Sequence, residues 1–225
     1  MSDSRAPRRR WWLPAVVFAL ALYVIVRAAN TPQGDTPPPA SASTSAPTRS
    51  ADSASASASA ASSSYDPADY VSQVRTRAQQ AHISAQLAMA ILYNEAYKPH
   101  APSFERAWQK YKPDASFGIA NMHRATFDEV KKGRDFADRR WDELPDDRDL
   151  AIEAEAWFLH DLAAQLPTTW SASYTRNELL ALGYSTGAGN MLAFARGATP
   201  GGQAQSYLDK LHANWAKAGR AVGTG

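Results

Sequence analysis

Residues 65–225 predict a mainly α-helical domain with a small irregular or hairpin lobe, and three observations carry that expectation. Apolar residues recur at three- and four-residue spacing, the period of a helix face. Asp, Ser and Thr stand at cap positions ahead of those runs. No stretch alternates apolar and polar residues far enough to make a long strand.

The chain before this domain reads as two segments. Residues 1–29 join Arg8-Arg9-Arg10 to an apolar run from Trp11 to Val26, interrupted only by Pro14. Carried on to Ala29, the run gives roughly 28 Å of helix, close to a hydrocarbon core of roughly 30 Å. Trp11-Trp12 suit the headgroup region, and the arginines hold the N-terminus in the cytoplasm. The same residues also fit a cleaved signal peptide, with small residues near Val26-Arg27-Ala28. Either way the rest of the chain is delivered beyond the cytoplasmic membrane. Residues 30–64 are almost wholly Pro, Ser, Ala and Thr, too poor in apolar area to offset the entropy of ordering them. As a flexible tether they span roughly 33 Å on average.

Within the domain, Asp66-Pro67 is a cap followed by proline at the first helical position. Tyr70, Val74, Ala78 and Ala81 continue it as one stripe. Ser84 caps a helix that ends at Glu95 and is apolar on nearly every side. The least helical stretch runs from Pro113 to His123. Thr126-Phe127-Asp128-Glu129 reads as a capping box opening a short helix that Gly133 closes. A longer helix is expected from about Arg148 to Leu166, with Leu150, Ala154, Trp157, Asp161 and Leu162 near one face and Pro167 as its stop. Thr175-Arg176-Asn177-Glu178 is a second capping box, leading to Leu179, Leu180, Leu182 and Gly187. A last helix covers roughly Gln203 to Ala218, with Tyr207, Leu211 and Trp215 at i, i+4 and i+8.

Charge and composition exclude several functions. Of 24 basic and 22 acidic residues, six and three precede residue 65, leaving the domain nearly balanced at 18 against 19. Nucleic-acid binding requires a basic footprint that this domain lacks. The absence of cysteine rules out disulfides and thiol catalysis. The five histidines have no zinc-ligand spacing and no glycine-rich phosphate loop is present, so no such pattern points to a metal or organic cofactor. His123 and His160 read as structural or surface residues, and Trp108 and Tyr111 as core, with stacking on the rings of a bound ligand as their alternative.

Glu95 is the residue with chemical promise. A carboxyl at the mouth of an apolar core is costly to ionise, and the resulting rise in pKa suits a general acid. The competing reading is an exposed last turn ahead of Pro99. Two later blocks bear on the choice: Ser116-Phe117-Gly118-Ile119-Ala120-Asn121-Met122, and Gly183-Tyr184-Ser185-Thr186-Gly187-Ala188-Gly189-Asn190.

With Glu95, these blocks resemble the lytic transglycosylase and goose-type lysozyme superfamily, enzymes that cut the glycan strands of peptidoglycan. The likeness runs over most of residues 65–215. It implies a lysozyme-like fold, with Glu95 as the catalytic acid and Ser116, Gly118, Asn121 and Tyr184 around the substrate. It also implies cleavage of the bond between N-acetylmuramic acid and N-acetylglucosamine to leave a 1,6-anhydro end. The expected partners are peptidoglycan strands and, through the N-terminal helix, the membrane, with the chain acting as a monomer. Ala96 stands where the family commonly has serine, Asn121 where it has glutamine, and Ser185 where it has asparagine. A hydrolytic muramidase and an inactive glycan-binding domain therefore remain open. Asp114, the nearest candidate for a second carboxylate, reads as a solvated loop residue.

Overall fold

The eleven residues Ala85–Glu95 have little polar surface to offer water, and the other helices cover them on all sides. The computed structural model describes residues 65–224; the expected anchor (1–29) and linker (30–64) lie outside the described residues. Eight α-helices make up the described part: α1 Val71–Gln80, α2 Ala85–Glu95, α3 Pro102–Gln109, α4 Arg124–Val130, α5 Arg148–Gln165, α6 Arg176–Thr186, α7 Ala188–Ala195 and α8 Gly202–Val222. Two 3-10 turns, Pro67–Tyr70 and Trp141–Glu143, join them. Among the described residues there is no strand beyond one antiparallel bridge pair, Phe117 with Met122. No described helix is long and apolar enough to cross a membrane.

Helix α2 starts where Ser84 Oγ accepts from Leu87 N at 3.2 Å, a cap that contributes about 1 kcal/mol. Leu87 through Leu92 are all buried, together with Asn94 and Glu95. Its main partner is α8, more than a hundred residues later, through Ala204, Leu208, Leu211 and Ala218. Three polar clasps fix the register of that pair. Gln86 Nε2 donates to Trp215 O at 2.9 Å, Asn94 Nδ2 to Tyr207 O at 3.1 Å, and Asn214 Nδ2 to Asn94 Oδ1 at 2.9 Å. Helix α1 closes one side with Val74 and Ala78, and Arg75 reaches the end of α8 through Val222 O.

Helix α5 is capped by Asp147, whose Oδ1 accepts from Leu150 N at 2.9 Å. It is buried over most of its circumference from Leu150 to Ala156, and again at Leu159 and Leu162. Trp157 and Asp161, expected on the inner face, instead lie half-buried under Arg134. Helices α6 and α7 meet so closely that a Cβ on Gly183 would stand 2.8 Å from Met191 Sδ. Glycine is required there by contact rather than by backbone angle.

The capping box Thr175/Glu178 forms as expected, with Thr175 N donating to Glu178 Oε2 at 2.7 Å. The box expected at Thr126/Glu129 does not form. Helix α4 begins at Arg124, directly after the Phe117–Met122 hairpin releases the chain, so Thr126 already lies inside the first turn. Helix α8 runs one turn beyond the expected end, to Gly223 in the left-handed conformation (φ 73°). Helices α3 and α7 extend the set of elements read from the sequence.

Candidate functional site

Glu95 is the last residue of α2 and only 8% exposed, at the floor of a pocket of about 240 Å³. Its carboxyl is held from two directions. Tyr207 on α8 donates its hydroxyl to Oε1 at 2.9 Å. Asn121 Nδ2 donates to Oε2 at 2.9 Å and to the Glu95 carbonyl oxygen at 3.0 Å. Burial pushes the carboxyl's pKa above its ordinary value. The Asn121 and Tyr207 hydrogen bonds and the nearby Lys98 and His100 act in the opposite direction without overcoming it. Desolvation is the largest of these influences, so the net shift is toward the protonated form.

Asn121 reaches this position through its backbone. Phe117 and Met122 exchange both backbone hydrogen bonds at 3.0 Å, and Asn121 N donates to Gly118 O across the turn between them. Trp141 stacks on Phe117 at 4.1 Å between centroids and donates Nε1–H to Met122 O. Asn121 itself lies in the left-handed region (φ 48°), which asparagine tolerates better than most residues. Its short side chain suffices because the turn brings it against the end of α2.

Gly118 builds the turn rather than lining the pocket. Its φ is 70°, a Cβ would stand 3.0 Å from Leu144, and its N–H donates to Glu105 Oε2 at 2.8 Å. Ser116 is on the pocket wall, but its Oγ and carbonyl accept from Lys98 Nζ, at 3.2 Å each, and it makes no bond to Glu95. Tyr184 also lines the pocket; its hydroxyl donates to Ala120 O at 2.5 Å, holding the turn beside Asn121. Of the five residues singled out in the sequence, Glu95 and Asn121 touch directly. Ser116 and Tyr184 line the same pocket, and Gly118 supports it from behind.

Several participants were not singled out from the sequence. Tyr207 was read as one apolar position on the last helix; a buried tyrosine hydroxyl that needs a partner was the available signal. His100 donates Nε2–H to the Glu95 carbonyl at 3.2 Å, and its Nδ1 lies 2.9 Å from buried Glu105 Oε1. Glu155, in the middle of α5, is fully buried, and neither of its carboxyl oxygens has a hydrogen-bond partner among the described residues. Burial first, and the charge of Glu95 second, raise its pKa well above the carboxylate range. Burial likewise pushes the Tyr184 and Tyr207 hydroxyls well up, with Glu155 next for Tyr184 and Glu95 next for Tyr207.

Other expectations resolve individually. Asp114 is exposed, and its carbonyl lies 3.0 Å from His123 Nδ1. His160 Nδ1 lies 2.8 Å from Ala81 O, and its ring meets Trp157 edge to face. Trp108 and Tyr111, expected in the core, are exposed instead, because α3 turns Glu105 rather than its aromatic face inward. Gly187 ends α6 at φ 87°, whereas Gly189 makes no close contact.

No protein-family model, characterised protein or solved structure matches the chain.

Proposed function

We propose that this chain is a peptidoglycan lytic transglycosylase with a lysozyme-like helical domain. It cuts the β-1,4 bond between N-acetylmuramic acid and N-acetylglucosamine with Glu95 as the single acid and base. One observation carries the reading: a nearly buried carboxyl with a raised pKa, oriented by Asn121 and Tyr207, facing an open pocket. A general acid needs that combination of retained proton and fixed direction.

The reaction needs no second carboxylate and no cofactor. Glu95 gives its proton to the glycosidic oxygen as the C1–O bond breaks, and the muramyl N-acetyl oxygen bonds to C1 in its place. The Glu95 carboxylate then takes the proton of the muramyl 6-hydroxyl. That oxygen bonds to C1 as the bond from C1 to the acetamido oxygen breaks, so the N-acetyl group stays on C2 and a 1,6-anhydro ring remains. No water is consumed, so the two products together weigh what the strand weighed. The other nearby carboxyls are poorly suited to a second role. Asp114 is exposed on a neighbouring groove, and Glu155 is sealed in the core with no hydrogen-bond partner among the described residues. Within this proposal, residues 1–29 anchor the protein in the cytoplasmic membrane and 30–64 extend the domain toward the wall.

Digestion of purified peptidoglycan with the full-length protein, followed by product weighing, tests the reading. Fragments one water lighter than reducing-end products are expected. Reducing ends of full weight make the enzyme a hydrolytic muramidase. Binding without any product makes it a scaffold. A Glu95→Gln variant as active as the parent sinks the assignment of the acid.

A further inference from the structure

Exposed aromatic side chains gather on one side of the described domain. Tyr97 (70% exposed), Phe104 (48%), Trp108 (47%) and Tyr111 (82%) are the exposed large hydrophobic residues, and all four line one groove of about 790 Å³. Phe104, Trp108 and Tyr111 follow i, i+4, i+7 spacing along α3 and the turn after it, so they share a face. An adjacent side of α3 is locked down: Glu105 is buried, accepting from Gly118 N and bonding His100. The aromatic face is thus held open on a fixed helix, where burying it inward would have been worth about 1.5–3 kcal/mol per side chain. Exposure of a contiguous apolar patch marks a surface with a ligand.

The form of the surface selects among ligands. The groove shares Tyr97, Ser116 and His123 with the pocket over Glu95, so one extended molecule can lie in both. The Glu95 pocket is smaller than the roughly 300–1,000 Å³ usual for ligand sites, and the groove supplies the missing length. The rim is cationic: Lys98 and Lys112 line the groove, Lys210 sits 5.8 Å over the Tyr97 ring, and Asp114 is the exposed acid among them.

We propose that this groove binds the glycan strand beyond the bond being cut. The apolar faces of successive sugars lie on Phe104, Trp108 and Tyr111, and the carboxylates of attached stem peptides face Lys112 and Lys98. The assignment rests on the glycan-cleaving reading of Glu95 and adds where the rest of the substrate is held.

Binding is measured in a Glu95→Gln background, so no turnover is required. The full-length protein is titrated with purified peptidoglycan glycan strands of graded length, and Trp108→Ala and Tyr111→Ala are added singly. Unfolding midpoints equal to the parent's verify that the surface substitutions leave the fold intact. Each substitution is expected to weaken binding of long strands by about tenfold. The loss should shrink as strands shorten and be mostly restored by Trp108→Phe. Unchanged affinity for long strands overturns the proposal, as does an equal loss at every length. Loss of binding to anionic lipid vesicles, with strand binding intact, also overturns it and makes the face a membrane dock. Should strands bind through the groove while wild-type protein yields no cleavage products, the reaction fails and the groove assignment stands.

Discussion

Glu95 and Glu155 are both helix-borne carboxyls removed from water, and in both burial is the leading cause of a raised pKa. There the likeness ends. Glu95 closes α2 beneath a pocket, with Tyr207 on one oxygen and Asn121 on the other. Glu155 lies midway along α5 between Ala154 and Ala156, with no hydrogen-bond partner for either oxygen among the described residues. Burial alone yields a neutral acid; hydrogen bonds give it a direction and a pocket gives it something to protonate. Only the first carboxyl can take part in a reaction. An unpartnered buried polar group costs about 1–3 kcal/mol, so the second is expected to weaken the fold.

The contrast can be broken most forcefully at Glu95 itself. Glu95→Gln should lower the rate of peptidoglycan cleavage at least about a hundredfold, the lower end of what a general acid supplies. Product release from purified wall measures it, and folding should be unimpaired.

Glu155→Met tests the other side. Filling the site with an apolar side chain of similar length should stabilise the protein at neutral pH by about 1–3 kcal/mol. The pH dependence has a definite sign. The folded-state pKa of Glu155 is raised, so the parent is most stable below the ordinary value of 4.5 and weakens as pH climbs from there toward the folded value. The advantage of the variant should therefore be small in acid and grow toward neutrality in denaturant titrations at several pH values. A variant less stable than the parent at pH 7 would show that Glu155 has a stabilising role.

Tyr207→Phe sharpens the comparison by making Glu95 more like Glu155. Loss of the hydroxyl removes a bond that favours the carboxylate, so the pKa of Glu95 should rise further. The high-pH limb of the pH–rate profile moves up, and the rate near the optimum falls roughly tenfold as the acid loses its orientation. The smallest effect is expected at Tyr65, whose buried hydroxyl has no partner among the described residues. Tyr65→Phe should alter stability by less than about 1 kcal/mol, and toward the more stable side, in thermal unfolding.

The helical skeleton was legible wherever a cap and an apolar stripe coincided. Ser84 and α2, Thr175/Glu178 and α6, and Asp66-Pro67 with the 3-10 turn ahead of α1 all appear where local chemistry puts them. Thr126 misled because the capping-box pattern is local, while the start of α4 is set by a hairpin that ends two residues earlier. At the site, a carboxylate ending an apolar helix was visible in one segment, and Asn121 in another. The grip of Tyr207 was hidden, since its place on an apolar stripe states that it is packed and not against what. Glu155 was concealed by its alanine neighbours, which give a charged residue no visible signature of burial on a helix with so little amphipathic contrast. Trp108 and Tyr111 failed in the opposite sense: aromatic residues read as core because most are, and only the inward anchoring of Glu105 leaves them outside.

The bond from Tyr207 to Glu95 spans 112 positions of sequence. A chain emerging from its N-terminus presents α2 long before α8 exists to complete its surroundings. Contacts of such separation form late, after the intervening loop has closed. The Glu95 carboxyl therefore acquires its Tyr207 hydrogen bond only after α8 has been made and has docked against α2. On the proposed reading of Glu95, synthesis itself would act as a safety catch: a copy lacking α8 would carry the glutamate without the bond that directs it.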